Sequence, residues 1–179
     1  MVCNKLNYMT KELNMCVPVV SAIIEREMND ETEILVQTRW KTGKGAEYSG
    51  TLEIPAGGID KYENIYDALR REVFEETGLQ VIKIKPDSKT KTYSPRDDAG
   101  FAFAPFCCQQ QLKAGLPWIG FVFICEVENK EPTPQESEVK DIRWIKKSEL
   151  KKLVDTHPEQ IFTLQLGVLN YYFNHAHLD

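Results

Sequence analysis

The chain has 179 residues, enough for one domain that buries about two thirds of its unfolded surface without disulfide or metal staples. Its hydrophobic fraction of 42% and charged fraction of 27% are those of an ordinary globule, and 22 basic against 27 acidic residues, net −5, offer no long-range attraction for nucleic acid. No run approaches the ~18 apolar residues of a bilayer span and no signal-peptide core opens the chain, so a cytoplasmic protein with no membrane partner is expected.

Residues 1–16 are weakly patterned and read as an N-terminal arm, with 17–179 as a single domain. Val17 to Arg26 is β-branched and apolar enough for a buried strand, with Pro18 at its start where a missing N–H is tolerated. Asn29 and Asp30 turn the chain, and Thr32 to Trp40 reads as the antiparallel partner. The glycine-punctuated segment 41–50 is a loop from which Lys41, Lys44 and Tyr48 are placed to reach a substrate phosphate or base. Residues 52–56, LEIPA, form a short strand that Pro55 ends.

Residues 57–79, GGIDKYENIYDALRREVFEETGL, contain an anomaly. Asn64 caps and Gly78 ends a predicted helix over 65–77. On its wheel Ile65, Ala68, Leu69 and Val73 share one face, and Glu72 and Glu76 fall inside the same arc with Glu75 at its edge. A solvated helix would hold these glutamates opposite the apolar stripe; here the stripe itself turns from aliphatic to carboxylate. Carboxylates at i, i+3 and i+4 in a partly dry site repel unless they protonate or bind a cation. Mg²⁺ fits that demand, because it takes a few carboxylates and completes its shell with water and phosphate oxygens. The alternative is an acidic surface helix with pairs such as Asp67 with Arg70 or Arg71.

After this segment, 80–93 alternates apolar and basic residues about a turn at Pro86, predicting a strand on either side. Phe101–Leu112 and Trp118–Val127 read as a long hairpin whose second strand is nearly unbroken in its apolar run. The acidic segment 128–140 precedes a returning strand, 141–145. A short helix capped at Ser148 and a terminal helix from Pro158 to His175 complete the chain. The five cysteines are odd in number and contain no CxxC, so they read as reduced thiols.

Gly57, Glu63, Arg71, Glu72, Val73, Glu75, Glu76, Gly78 and Leu79 meet every fixed position of the Nudix box, so the chain resembles the Nudix hydrolase (MutT-like) family. The resemblance implies an α/β fold, an α/β/α sandwich with a mixed central sheet and this loop–helix–loop as catalytic platform. It implies hydrolysis of a pyrophosphate bond in a nucleoside diphosphate linked to another moiety, with Mg²⁺ or Mn²⁺ held by Glu72, Glu75 and Glu76. Arg71 would orient those glutamates, with Gly57, Glu63 and Gly78 supporting the box. Glu136 or Glu138, in the acidic loop, would serve as general base, and Arg39 and Trp40 would contact the nucleotide. Pro95, sixteen residues beyond Leu79, resembles a marker of the ADP-ribose pyrophosphatase branch. Ordinary or damaged nucleoside triphosphates are the alternative substrates, and a non-catalytic nucleotide-sensing module is the alternative outside enzymes. RNA decapping is disfavoured by the negative charge. The family resemblance also allows a homodimer through residues 1–16 or a sheet edge.

Overall fold

The computed structural model describes residues 16–43, 45–86, 91–113, 115–134 and 139–176. The 12-residue strand β1, Val17–Met28, is its organising element. Its residues alternate between two cores, as a period of two requires. Val20, Ala22 and Ile24 belong to one core with Ile65, Ala68, Leu69 and Val73 of helix α1, Ile65–Thr77. Ile23 belongs to the other, with Leu150 and Val154 of α2, Lys147–Thr156, and with Val168, Leu169 and Tyr172 of α3, Leu166–His175. The sheet is thus sandwiched between α1 and the α2–α3 pair.

Strand β1 changes partners along its length. Glu25–Met28 pair antiparallel with Glu31–Ile34 of β2, Glu31–Arg39, through a turn whose Asn29 and Asp30 both have positive φ, the conformation that a tight two-residue hairpin demands. Val19–Ser21 pair instead with β4, Ala56–Gly58. The far half of β2 pairs with β3, Leu52–Glu53. Between β3 and β4, Ile54 and Pro55 carry the chain from a partner of β2 to a partner of β1, so the two strands part and a wedge opens at that end. The expected single strand over 52–56 is two short strands on either side of this crossing.

On its other edge β1 runs parallel to β7, Trp118–Val127, and this pairing makes the sheet mixed. The outer edge of β7 is shared by β6, Cys107–Gln110, and β5, Val81–Lys85, while β8, Val139–Lys146, covers β2.

Four expectations are corrected. The second strand expected before residue 93 does not form among the described residues, where Tyr93 makes only an isolated bridge to Gly100, because β5 and β6 already occupy the edge of β7. The first arm of the long hairpin shortens to β6 for a related reason: Phe101 and Phe103 pack against Tyr66 and Phe121 instead of entering the ladder. Ser148 is not a cap, because β8 runs directly into α2 and the Ser148 hydroxyl donates to Glu31. The terminal helix is broken into 3-10 turns at Pro158–Gln160 and Thr163–Gln165 before α3, since Ile161 and Phe162 are drawn onto Leu52. Residues 1–15 of the N-terminal arm, Lys44 and residues 135–138, which include Glu136 and Glu138, lie outside the described residues.

Candidate active site at the carboxylate end of α1

Helix α1 begins and ends where its sequence requires. The Asn64 side chain accepts from the Tyr66 N–H, and Gly78 closes the helix at φ 70°, a left-handed value that glycine adopts without penalty. Val73, Glu76 and Thr77 are buried along the inner face, whereas Asp67 and Arg70 stay outside as a weak 4.0 Å pair. The carboxylate part of the apolar stripe therefore enters the molecule, as the wheel predicts.

Arg71 is the hub of the platform. Its Nε donates to Glu63 at 2.8 Å, its NH1 group to Glu72 at 2.7 Å and Glu75 at 3.1 Å, and its NH2 group to Glu63 and the Gly58 carbonyl, both at 2.9 Å. The paired guanidinium and the Asp60 N–H hold the Glu63 carboxyl down at about 2. Glu63 thus fastens the loop to the helix, and Arg71 fixes one oxygen each of Glu72 and Glu75. Gly57 is required by this packing. A Cβ placed there would lie 1.9 Å from Glu72 Oε2, inside the carboxylate.

Glu76 is held separately. Its Oε2 accepts from Gln37 Nε2 at 2.8 Å and from the Ala56 N–H at 3.1 Å, at 6% exposure. Burial, with the Glu53 and Glu72 charges adding, pushes its carboxyl up to about 8 against the pull of those donors. Gln37 and Glu53 stand opposite each other in the β2–β3 register. Glu53 is itself buried and raised by desolvation, partly offset by Arg39, which meets it at 2.9 Å.

Among the described residues no three His, Cys, Asp or Glu side chains converge as a ready-made metal cage. The box glutamates are divided between Arg71 and the Gln37–Ala56 pocket. Their chemistry nonetheless fits a hard divalent cation: the donors are oxygens only, and a buried carboxyl beside two others is the group a cation would relieve.

A cleft of about 260 Å³ adjoins this platform. Val17, Val19 and Ser21, on the face of β1 that Ile23 buries further along, form its floor. Ala56, Gly57 and Gly58 connect it to the box, and Trp118, Phe162 and Leu164 add apolar wall. Arg39 lies in it with its guanidinium 4.5 Å from the centre of the Phe162 ring. Ser21 Oγ and Arg39 Nε are buried beneath this lining and find no hydrogen-bond partner, an expensive state for polar groups.

Of the residues expected at the site, Gly57, Glu63, Arg71, Glu72, Glu75 and Glu76 are brought together, Gly78 ends their helix, and Arg39 reaches the cleft. Trp40 is outside it, exposed and covered by the Lys140 ammonium at 3.5 Å. Tyr48 is edge-on to Phe162 and supports the wall from behind. Gln37, Glu53, Ser21, Phe162 and Gln165 escape the sequence reading. Gln37 and Glu53 carried a signal, as polar residues inside short apolar strand runs; Phe162 and Gln165 carried none, because only the tertiary fold brings them to strand β3.

The NUDIX domain family model matches residues 17–164. The RNA pyrophosphohydrolase of Bartonella clarridgeiae is 29% identical over 143 residues, covering 75% of this chain and 80% of that protein. The nucleoside triphosphatase NudI of Escherichia fergusonii is 32% identical over 110 residues, 58% of this chain and 67% of that protein. In structure, the NUDIX domain of Shewanella oneidensis NrtR, complexed with ADP ribose, superposes with a TM-score of 0.65 at 12% identity, covering 97% of this chain and 99% of that one, a likeness of fold alone.

Proposed function

Since the chain belongs to the Nudix hydrolase family, we propose that it cleaves a phosphoanhydride bond of a nucleoside 5′-triphosphate, free or at the end of a larger nucleotide, with Glu72, Glu75 and Glu76 holding Mg²⁺ or Mn²⁺. The observation that carries this reading is the continuity of the cleft with the box through Gly57 and Gly58. A base and ribose lying along Val17, Val19 and Phe162 would direct the phosphates of the same nucleotide to the glutamates. The names of two relatives support this reading, one an RNA pyrophosphohydrolase and the other a nucleoside triphosphatase.

The cation would supply charge neutralisation for the pyrophosphate and a water of lowered pKa. The protein's own residues do the rest. Arg71 holds Glu72 and Glu75 in place, Glu63 locks Arg71, and Gln37 with the Ala56 N–H aims Glu76. The proton of the attacking water would go to Glu136 or Glu138. In support, the described residues that flank this segment join the site's own elements: the Thr133 N–H donates to the Thr77 carbonyl at 2.8 Å, and Val139 pairs with Arg39. Lys140 and Trp40, stacked on each other at the end of β2, would serve an outlying phosphate or base.

A second reading, hydrolysis of ADP-ribose or a nucleotide sugar, is favoured by Pro95 alone. The test is product analysis over triphosphates, 5′-triphosphorylated RNA, dinucleotides and nucleoside diphosphate sugars, with Mg²⁺ and with chelator. Chelator-sensitive release of pyrophosphate or phosphate from a triphosphate supports the first reading; release of AMP and a sugar phosphate supports the second. Binding without cleavage of any member would instead make the chain a nucleotide-sensing module.

A further inference from the structure

The crossing from β3 to β4 is held by a side chain far away in sequence. Ile54 lies between the ladders: β3 ends at Glu53, β4 begins at Ala56, and the intervening Pro55 has no N–H to donate. The Ile54 N–H and C=O would both be stranded in the interior. Gln165 satisfies both. Its Oε1 accepts from the Ile54 N–H at 2.7 Å and its Nε2 donates to the Ile54 carbonyl at 2.9 Å, so one carboxamide replaces a neighbouring strand. Gln165 is 2% exposed, and the segment leading to it extends the stitch, since the Phe162 N–H donates to the Leu52 carbonyl at 2.7 Å and Ile161 bridges Leu52 in parallel.

Both sides of this stitch line the cleft. Glu53 and Ala56 flank Ile54 on the strand, and Phe162, Leu164 and Gln165 itself form the opposing wall. We propose that Gln165 is a positioning residue that sets the width of this cleft and thereby the affinity for the flat heteroaromatic end of the nucleotide. It touches neither Glu72, Glu75, Glu76 nor Arg71, so it acts on substrate recognition and not on the metal platform. The proposal rests on the reading of the cleft as the nucleoside site.

The test replaces Gln165 by Met, which keeps the length and removes both hydrogen bonds, and by Glu, which keeps the acceptor for the Ile54 N–H but turns a second acceptor on its carbonyl. With the substrate that the wild type cleaves, both variants are expected to raise KM by at least about tenfold while kcat stays within about threefold and the Mg²⁺ midpoint is unchanged. Loss of thermal stability with an unaltered KM would reduce Gln165 to a structural prop and overturn the proposal, as would a fall in kcat at constant KM. Where Q165M and Q165E do not fold by circular dichroism, Q165N, which keeps the amide and shortens its reach, takes their place. A wild type without turnover would refute the enzymatic reading only. Calorimetric binding of AMP and GMP then decides: weaker binding by the variant supports the positioning role, whereas equal binding, or none by the wild type, overturns it.

Discussion

At the scale of single residues the site is built on contrasts between neighbours. Glu75 is the most exposed of the three glutamates and Glu76 is buried, and that difference fixes what each substitution should do. Replacing Glu76 by Gln retains an oxygen for the Gln37 amide and the Ala56 N–H while removing a carboxyl that burial already holds near its neutral form. The expected result is a fall in kcat of roughly 10²–10³-fold, the scale for losing one charge-stabilising group, with a melting temperature no lower than that of the wild type. Full turnover in E76Q would remove Glu76 from the metal platform. Gly57 allows a complementary experiment. The three atoms nearest an added methyl all belong to the Glu72 carboxylate at the end of its side chain, so the fold should tolerate it while the carboxylate is displaced from Arg71. G57A should lower kcat by about 10–100-fold, the usual cost of disturbing the group that orients a ligand, with little change in thermal denaturation. A large loss of stability with normal kinetics would show that Gly57 serves the loop and not Glu72.

At the scale of elements, α1 is the part that sequence describes best, and the reasons are local. Its caps, apolar stripe and carboxylate run all lie within 15 residues, and its boundaries, 65–77, agree with the expectation drawn from Asn64 and Gly78. Removing the cap by N64A should therefore cost about 1 kcal/mol by urea denaturation, because the Tyr66 N–H loses its acceptor, whereas S148A should cost no comparable cap energy because Ser148 does not cap α2. An N64A protein as stable as the wild type would mean that the Glu63–Arg71 clasp alone defines the start of the helix. The β1–β2 hairpin was equally legible, from Asn29 and Asp30. What local pattern did not reveal was competition for edges: β6 and β5 divide the outer side of β7, so apolar runs such as 101–106 that look like strand have no partner left. Likewise the break in the terminal helix follows from the demand of Leu52 and Ile54 for hydrogen-bond partners more than a hundred residues earlier. The metal-facing glutamates were readable because they share a helix; Ser21 and Phe162 were not, because only the tertiary fold brings them to the same cleft.

At the scale of the whole molecule, the net charge of −5 is concentrated at the working end, where Glu63, Glu72 and Glu75 meet Arg71, Glu53 meets Arg39, and Glu76 is held by neutral donors. An anionic substrate approaching that end is repelled unless a cation precedes it, so metal binding should be linked to global stability as well as to turnover. The wedge between β1 and β2 makes the linkage direct, because Glu76 reaches from α1 across to Gln37 of β2 and to Ala56 of β4, and a cation that tightens Glu76 tightens all three elements. Mass action gives about 2.7 kcal/mol of stabilisation at a hundredfold excess over Kd, which for a domain of this size raises the melting temperature by roughly 5–10 °C. Titrating Mg²⁺ or Mn²⁺ while following thermal unfolding should show this saturable rise in the wild type, its reversal by chelator, and its reduction in E76Q. Ca²⁺, whose longer bonds suit looser oxygen shells, should give a different midpoint. An equal rise in wild type and E76Q would mean that the ion binds elsewhere, and no rise at a concentration that supports turnover would mean that the ion arrives only with the substrate's phosphates.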